Sequence, residues 1–592
     1  MARTITDGSR CRRNSKLETF LKRNTERDVY ERIRAYEPCV VVSRTISKVF
    51  MHVVLSDDGI YLTEYPPRTL QLGVQFRDIV DIALINDLPD FLSGRAREQS
   101  LHICVVYTSA KDAGKGDLRN RGSAVCKPHP ASSSAPEHMG RSAPVAGKTR
   151  VSPPCGHMCI IVCALLFALA ISVKCRTLIE IKHVASQTKN FTLILHLVNQ
   201  PKQNTNKNRR NLVPTRRSSS NLVMKRMVRE RSGEEQEAEL HLYAVSLSSQ
   251  IYLHLQSSWS SYIMRSTLML DPLYMRKCNM PSSPLPRKQR PWEQTSQLFC
   301  QLSGELLQEH LGVESLYLLL QELCTAAHRD AAIRKLFWRS AELYPFLVHT
   351  LVDTSAISQD RPHTTDTLLL CTLLVQTLTL MFRETASEPA RQSVLTSKQG
   401  SVTASMLQAV LTDSELALPV APRLHHDLII SYTELQALQA EYLDVVSGLL
   451  FEVLVLCQEA SHTPDPGHFL TVGWIFTMLQ SHPSLVGFVD YQAQQVVLVL
   501  THSRCPLSPP QAVLLYQRCT VLLACLQNNA TLSTYITTHY KEEFKYYVGV
   551  SELKDKLPPH YPISKRVQHL LTALLHRVLH EPPALTVRER GP

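Results

Sequence analysis

The residues best suited to chemistry form one short group of soft metal donors. Cys155, His157, Cys159, Cys163 and Cys175 carry the thiol and imidazole groups that zinc prefers. Their spacing is not that of a zinc ribbon or a zinc finger, and two of the cysteines lie inside an apolar run. The sequence therefore predicts no metal site.

The chain also lacks the motifs that usually indicate catalysis. It contains no phosphate-binding glycine loop, dinucleotide fingerprint, nucleophile elbow or zinc-protease motif. His425, His426 and Asp427 open a leucine-rich segment, where polar residues of a first helical turn are expected. We predict no catalytic residue, no cofactor and a protein that is not an enzyme. An enzyme of unrecognised type stays the alternative, because fold does not decide function.

The positive charge is concentrated in one region. The 592 residues carry a formal +12, and residues 108–239 contain 22 lysines and arginines against nine aspartates and glutamates. This region therefore accounts for the whole excess, and the remainder is close to neutral. Its composition predicts a disordered basic insert.

The most basic tract of this insert is residues 202–231, with ten lysines and arginines and no aromatic residue. Such a tract suits an acidic membrane, a nucleic acid or an import receptor. Without aromatic rings to stack on bases, no specific nucleic acid is expected. Ser218 and Ser219 follow two arginines, a pattern typical of a phosphosite for a basophilic kinase.

An apolar segment, residues 158–173, lies in the same insert and is barely long enough to cross a bilayer. Basic residues flank both of its ends, so the charge rule gives no orientation. Strands on either side of the insert belong to one sheet in our interpretation, and a single crossing would separate them. We predict an intracellular, cytoplasmic protein with reduced thiols, and a single-pass membrane protein is the alternative.

The elements before and after the insert indicate a split domain. A helical pattern over residues 1–37 precedes β-type alternation over residues 38–107, and alternation resumes at residues 240–270 with a strand and a helix. That helix carries Ile251, Leu255, Trp259 and Ile263 on one face. We expect Trp259 to pack against strand residues, because this face of the helix has no other apolar surface to cover. Strands closed by one amphipathic helix resemble a pleckstrin-homology-like domain.

Such a domain implies an anion site on the loop between its first two strands. Here that loop holds Arg44 and Lys48, with His52 in place of a further cation. Two cations predict only a weak site, because strong phosphate sites need several charge-assisted contacts. The sequence favours protein binding or a structural role for this domain, with weak contact to acidic lipid as the lesser role.

The C-terminal half has helical periodicity throughout. Residues 271–292 contain five prolines and predict a linker, and residues 293–592 predict an armadillo- or HEAT-like helical domain without a fixed repeat period. The predicted helices span residues 298–327, 364–382, 425–457, 469–479, 511–526 and 565–579.

Several strings along the chain are distinctive: residues 12–18, 27–43, 61–64, 66–67, 239–243, 381–385, 511–517 and 535–546. They resemble a vertebrate protein family named for an open reading frame on human chromosome twelve and classed as a domain of unknown function. The resemblance covers both ends of the chain and implies no activity, while the apolar segment departs from the family's pattern. We predict a non-catalytic adaptor or scaffold that binds protein partners through its helical domain. The alternative is membrane association through residues 158–173 or 202–231.

Overall fold

The computed structural model describes residues 15–109, 236–278, 292–360, 365–383, 389–411, 426–461, 470–501 and 505–580, apart from residues 31, 88, 99 and 246–248. These residues belong to one compact unit, and residues 110–235 lie outside the described part. The predicted disorder of the insert, its apolar segment and its basic tract therefore lie outside the described residues.

Seven antiparallel strands form one sheet in the N-terminal region, in the order β4-β3-β2-β1-β7-β6-β5. The β2–β3 turn contains Asp58 and Gly59, the pair that predicts a hairpin from the sequence. A short helix, α3, precedes β6. The strands are β1 Ala35–Ser43, β2 Val49–Leu55, β3 Gly59–Glu64, β4 Leu70–Gln75, β5 Ile79–Ile85, β6 Leu101–Ser109 and β7 Gln236–Ala244, and α3 is Arg95–Glu98.

The chain returns to the sheet after the insert, as the split-domain interpretation predicts. Strand β7 pairs with both β1 and β6, so it joins the two halves of the sheet. The pairing with β6 continues to Ser109 opposite Gln236. The two strands therefore extend into residues 108–239, because ladder hydrogen bonds join backbone groups and do not need apolar side chains.

Helix α4 (Ile251–Leu268) closes the sheet. The predicted apolar face is confirmed, since Ile251, Leu255, Trp259 and Ile263 are each at most 2% exposed. The start of the helix is fixed to β1 by Glu37, whose carboxylate accepts hydrogen bonds from the Ser249 hydroxyl and the Gln250 amide. A carboxylate at this position also favours the helix dipole.

The N-terminal helical pattern is two helices, and not one as predicted. Helix α1 (Ser15–Asn24) is followed by α2 (Arg27–Tyr30), and β1 begins at residue 35. The first helix ends because Thr25 and Asn24 turn their side chains back onto the carbonyls of Leu21 and Phe20. Leu17 and Leu21 pack with Val54 in a small separate cluster.

The rest of the chain is mainly helical. The expected helix over residues 298–327 is broken at residues 307–312, where His310 adopts a left-handed φ of 70°. The predicted linker contains a helix, which begins at Pro272 and is capped by Asp271. The helices are α5 Pro272–Lys277, α6 Trp292–Leu306, α7 Val313–Arg329, α8 Ala331–Arg339, α9 Leu343–Asp360, α10 Thr365–Phe382, α11 Pro389–Thr396, α12 Ser401–Ala409, α13 His426–Ser461, α14 Val472–Leu479, α15 Leu485–Thr501, α16 Pro509–Asn528, α17 Ala530–His539, α18 Lys541–Tyr547, α19 Val550–Lys556 and α20 Ser564–His580.

Helix α4 also packs against the helical region, through α13 and α16. Ser260 and Tyr516 share a hydrogen bond of 3.3 Å, and the Ile563 amide donates to the Thr267 hydroxyl. One continuous apolar core therefore runs from the sheet into the helices. The predicted burial of Trp259 is confirmed, since its side chain is 2% exposed and α4 contacts β1. Helix α4 also buries a second side, which includes Ser257 and Ser260, against the helical region.

Candidate functional site

The two residues of the predicted anion site lie on the β1–β2 loop. Lys48 adopts a left-handed φ of 52°, and its ammonium lies 5.1 Å from the centre of the Phe91 ring. The loop is closed by the Ser43 hydroxyl, which accepts hydrogen bonds from the amides of Thr45 and Ile46. Arg44 lies at the start of this loop. The lysine is thus turned towards an aromatic ring on the same side of the sheet.

Other residues predicted from the sequence cannot be placed on the fold. Ser218, Ser219 and the cysteines and histidine at residues 155–175 lie outside the described residues. Among the described helices, α10 alone has the length and composition to cross a membrane. Of its 18 apolar-rich residues, 72% are buried inside the protein. This helix is therefore a core helix by burial.

A polar cluster that the sequence analysis missed lies on β6 and β7. The register places Cys104 opposite His241 and His102 opposite Tyr243. Residues alternate between the two faces of a strand, so these side chains share the face opposite to the buried Ile103 and Leu242. The sequence signal for this cluster is the alternation of polar and apolar residues in His102-Ile103-Cys104 and in Glu239-Leu240-His241.

Four side chains of this cluster form a continuous chain of close polar contacts. His102 Nδ1 lies 2.9 Å from Asp87 Oδ2, and His102 Nε2 lies 3.0 Å from His241 Nδ1. His241 Nε2 in turn lies 3.1 Å from Glu239 Oε2. His102 is buried at the centre, while the two carboxylates are solvent-exposed at the ends. We call Asp87, His102, Cys104, Glu239 and His241 the histidine cluster.

Cys104 borders this chain of contacts. Burial raises the pKa of its thiol, and the negative charges of Glu239 and Asp81 raise it further. The donor atoms of Cys104, Glu239 and His241 all lie within 4.8 Å of one another. These three residues offer sulfur, oxygen and nitrogen to a common point.

An aromatic stack connects the β1–β2 loop to the histidine cluster. Tyr243 stacks on His102 with ring centres 4.2 Å apart, and Phe91 meets Tyr243 edge-on at 4.8 Å. Lys48 also contacts Phe91, with its ammonium 5.1 Å from the ring centre. Burial raises the pKa of Tyr243, and the nearby Asp87 adds to this effect. The stack covers one side of the cluster with flat, largely apolar surface.

A groove of about 280 Å³ lies between α15 and the α17–α18 pair. Val497, Leu498 and Tyr540 supply an apolar floor, and Asp490 and Glu543 supply acidic groups. The Tyr535 and Tyr540 hydroxyls both donate to Asp490 Oδ1 at 2.7 Å. Burial and these bonds raise the pKa of Tyr535 to about 12. The groove therefore combines an apolar floor with two acidic side chains, one of which is held by the two tyrosine hydroxyls.

Two buried ion pairs connect the central helices. Arg383 donates to Glu452 at 2.8 Å, and Arg518 pairs with Asp444 and also donates to Gln492. Burial raises the pKa of Glu452, although Arg383 opposes this effect. Both pairs lie between packed helices, so we interpret them as structural contacts.

These features define a class: a seven-stranded antiparallel sheet closed by a helix and packed on a mainly helical region, with a histidine cluster on the sheet. Residues 11–577 match the family described as Protein of unknown function (DUF4551), and the chain belongs to that family. The resemblance identified from the sequence is therefore confirmed.

Relatives cover almost the whole chain. It is 32% identical to "Uncharacterized protein C12orf56" of Homo sapiens, over 98% of this chain and 100% of the relative. The homolog of Macaca fascicularis is also 32% identical, over 98% of this chain and 99% of its own length. The homolog of Mus musculus is 35% identical, over 59% of this chain and 67% of its own length. No solved structure matches the chain.

Proposed function

We propose that this chain is a non-catalytic, cytoplasmic interaction protein, built from a pleckstrin-homology-like domain and an armadillo- or HEAT-like helical domain. The meander β1 to β4, the second meander β5 to β7 and the closing helix α4 support the first assignment. The cysteines in the described part of the chain are free thiols, which supports a reducing compartment.

The order of helix contacts supports the second assignment. Helices α7, α10, α13, α16 and α20 pack in that succession, each against the next. Serial packing of this kind is typical of solenoids, in which each layer contacts mainly its neighbours. Solenoids commonly bind partners on the surface that the stacked helices create. The helical domain is therefore the part that we expect to bind a protein.

The groove between α15 and α18 is the observation that carries this proposal. Its volume of about 280 Å³ suits one or two side chains of a peptide, since pockets for whole drug-sized ligands start at about 300 Å³. The apolar floor fits an aliphatic anchor, and the acidic groups fit a neighbouring lysine or arginine. We propose that the partner presents a basic peptide segment with an aliphatic anchor residue.

The test is a selection of peptides from a displayed library on the full chain, followed by fluorescence anisotropy of the selected peptides. We expect sequences that place lysine or arginine beside leucine, isoleucine or methionine. Glu543→Lys should weaken their binding at least about tenfold, equivalent to about 1.4 kcal/mol. Glu542→Lys is the matched control, because Glu542 is the exposed neighbour and does not line the groove. Equal binding by both variants would exclude the groove.

A second candidate function, association with an anionic membrane, is favoured by the place where the insert joins the sheet. β1 ends at Ser43 opposite Leu240, and β7 begins four residues earlier, at Gln236. The β1–β2 loop with Arg44 and Lys48 therefore lies at the same end of the β1–β7 pair as the start of β7. Cations near an acidic surface contribute about 1 kcal/mol each.

Vesicle sedimentation with and without phosphatidylserine tests this second candidate. The double variant Arg44→Glu, Lys48→Glu should bind phosphatidylserine vesicles about 30-fold more weakly, because it removes about 2 kcal/mol of attraction. Lys541→Glu with Lys554→Glu is the control with the same charge change on exposed helices. Carbonate extraction from cells then distinguishes surface binding from insertion of residues 158–173. Vesicle binding that is equal for wild type and both variants would contradict a role for the loop.

A further inference from the structure

We propose that Cys104, Glu239 and His241 bind one zinc ion, with a fourth position open to water or to a partner group. Thiolate and imidazole donors favour zinc over calcium or magnesium, and three protein ligands with one open position are a common zinc arrangement. The proposal rests on the described geometry of the histidine cluster and does not depend on the proposed function.

The count of hydrogens in the cluster is the first argument. The contacts Asp87–His102, His102–His241 and His241–Glu239 each need one hydrogen between two acceptor atoms. Two neutral imidazole rings supply only two hydrogens. One contact must therefore hold an additional proton or a metal ion.

With both rings neutral, the burial of His102 indicates which contact lacks a hydrogen. Its side chain is 5% exposed, and a buried ring nitrogen left without a partner would be costly. Both of its contacts are therefore satisfied when His102 Nδ1 donates to Asp87 and His102 Nε2 accepts from His241 Nδ1. His241 Nε2 then faces Glu239 Oε2 at 3.1 Å with a lone pair on each atom. A cation between these two atoms removes the conflict.

The position of Cys104 indicates a metal ion as that cation. A proton shared by His241 and Glu239 needs no third donor, whereas the Cys104 sulfur lies within 4.8 Å of a ring nitrogen of His241 and of a carboxylate oxygen of Glu239. Donor atoms around a tetrahedral zinc lie about 3.3 to 3.8 Å apart, given bonds of about 2.0 to 2.3 Å. The three donor atoms must therefore move closer together when the ion binds. Glu239 is more than half exposed, so an ion can enter from solvent.

The remaining members of the cluster fit the outer part of a zinc site. A zinc-bound histidine usually donates its second ring nitrogen to an acceptor that fixes its orientation. His102 is that acceptor for His241, and Asp87 fixes His102 in turn. The stack of Tyr243 on His102 holds the ring plane. His102 and Asp87 are therefore positioning residues.

The test measures zinc affinity of the full, tag-free and reduced chain by competition with a chromophoric chelator. Cys104→Ser and His241→Gln should each remove one zinc ion per chain, with a loss of affinity above about 100-fold, since even outer hydrogen bonds are worth about 10- to 100-fold. Glu237→Gln, two residues along the same face of β7, and Cys300→Ser, an exposed cysteine, are the controls. The difference in bound zinc between wild type and each variant excludes zinc ions that the chain binds at other sites.

Cobalt substitution adds a spectroscopic signature. The wild type should show a thiolate-to-cobalt charge-transfer band that Cys104→Ser loses. Asp87→Asn should lower zinc affinity about 10- to 100-fold and keep this band, because it alters orientation and not the ligand set. Near-ultraviolet circular dichroism of the metal-free variants establishes that each is folded. If the wild type binds no more zinc than folded Cys104→Ser, a proton occupies the contact and the proposal is wrong.

Discussion

The Arg566 guanidinium on the last helix, α20, lies 5.6 Å from the centre of the Trp259 ring on α4. The same guanidinium lies 3.7 Å from Asp81 on β5 and 3.5 Å from the Gln256 amide oxygen. Trp259 is thus enclosed by the sheet on one side and by the C-terminal helix on the other. Residues far apart in the chain meet here, so sheet and helices stabilise one another.

Trp259→Ala should lower the free energy of unfolding by about 3 to 5 kcal/mol, as expected for truncation of a buried aromatic residue. Trp259 is 2% exposed, and the cavity would lie in the shared core. Trp292→Ala is the matched control, because Trp292 is 41% exposed and surface changes usually stay within about 0.5 kcal/mol. Urea unfolding measures both. A similar loss in the two variants would contradict the shared-core interpretation.

Local patterns predicted the elements better than they predicted the site. The apolar face of α4 and the hairpin at Asp58-Gly59 were readable because each depends on residues within a few positions. The contact between His102 and His241 depends on strands separated by the whole insert. Sequence alone does not fix such a register, and a slip of one residue would turn either histidine to the other face.

Removing residues 110–235 and joining Ser109 to Gln236 through Asn-Gly should leave the sheet folded. Ser109 and Gln236 are paired in register, and Asn-Gly favours the tight turn that such a pair needs. A shorter loop should raise stability, on the order of 3 kcal/mol at most. Thermal unfolding of the deleted chain measures the change.

The control deletion removes residues 109–235 and uses the same Asn-Gly turn after Thr108. This join can form the same two-residue turn only if the β6–β7 register shifts by one residue, which turns the apolar side chains of one strand outward. The native register, with Thr108 opposite Glu237, then needs the three-residue loop Asn-Gly-Gln236. The control should therefore be less stable than the deletion that keeps the pair Ser109–Gln236. Equal stability of the two deletions would show that the pairing of Ser109 with Gln236 is not needed.

His328 should make the protein less stable in mild acid. Burial lowers the pKa of His328 to about 4, and the positive charges of Arg383, Lys277 and Arg334 contribute. The unfolded chain, with a histidine pKa near 6.5, therefore binds more protons than the folded chain between these values. Stability is complete above pH 6.5 and falls as the pH decreases towards 4, by on the order of 3 kcal/mol from this group.

His328→Gln should remove that part of the pH dependence, because glutamine does not titrate. Urea unfolding at pH 7, 5.5 and 4.5 measures the slope for the wild type and the variant. His560→Gln is the control, since His560 is solvent-exposed. If the free energy of unfolding of His328→Gln depends on pH as steeply as that of the wild type, another group takes up the proton.

Replacing one partner of the ion pair between Arg383 and Glu452 should lower the free energy of unfolding more than replacing both partners. Arg383→Met alone leaves Glu452, which is 7% exposed, without its hydrogen-bonded cation, while Arg391 remains as a second positive charge acting on it. The loss should therefore stay below the about 3 to 5 kcal/mol of a buried carboxylate with no cation. Arg383→Met with Glu452→Met removes both charges and should recover most of this cost. A double-mutant cycle by urea unfolding gives the coupling. The exposed pair Lys545–Glu542, 3.9 Å apart, is the control and should couple by less than about 0.5 kcal/mol. Coupling as weak in the buried pair as in the exposed one would show that α10 and α13 are joined by apolar packing alone.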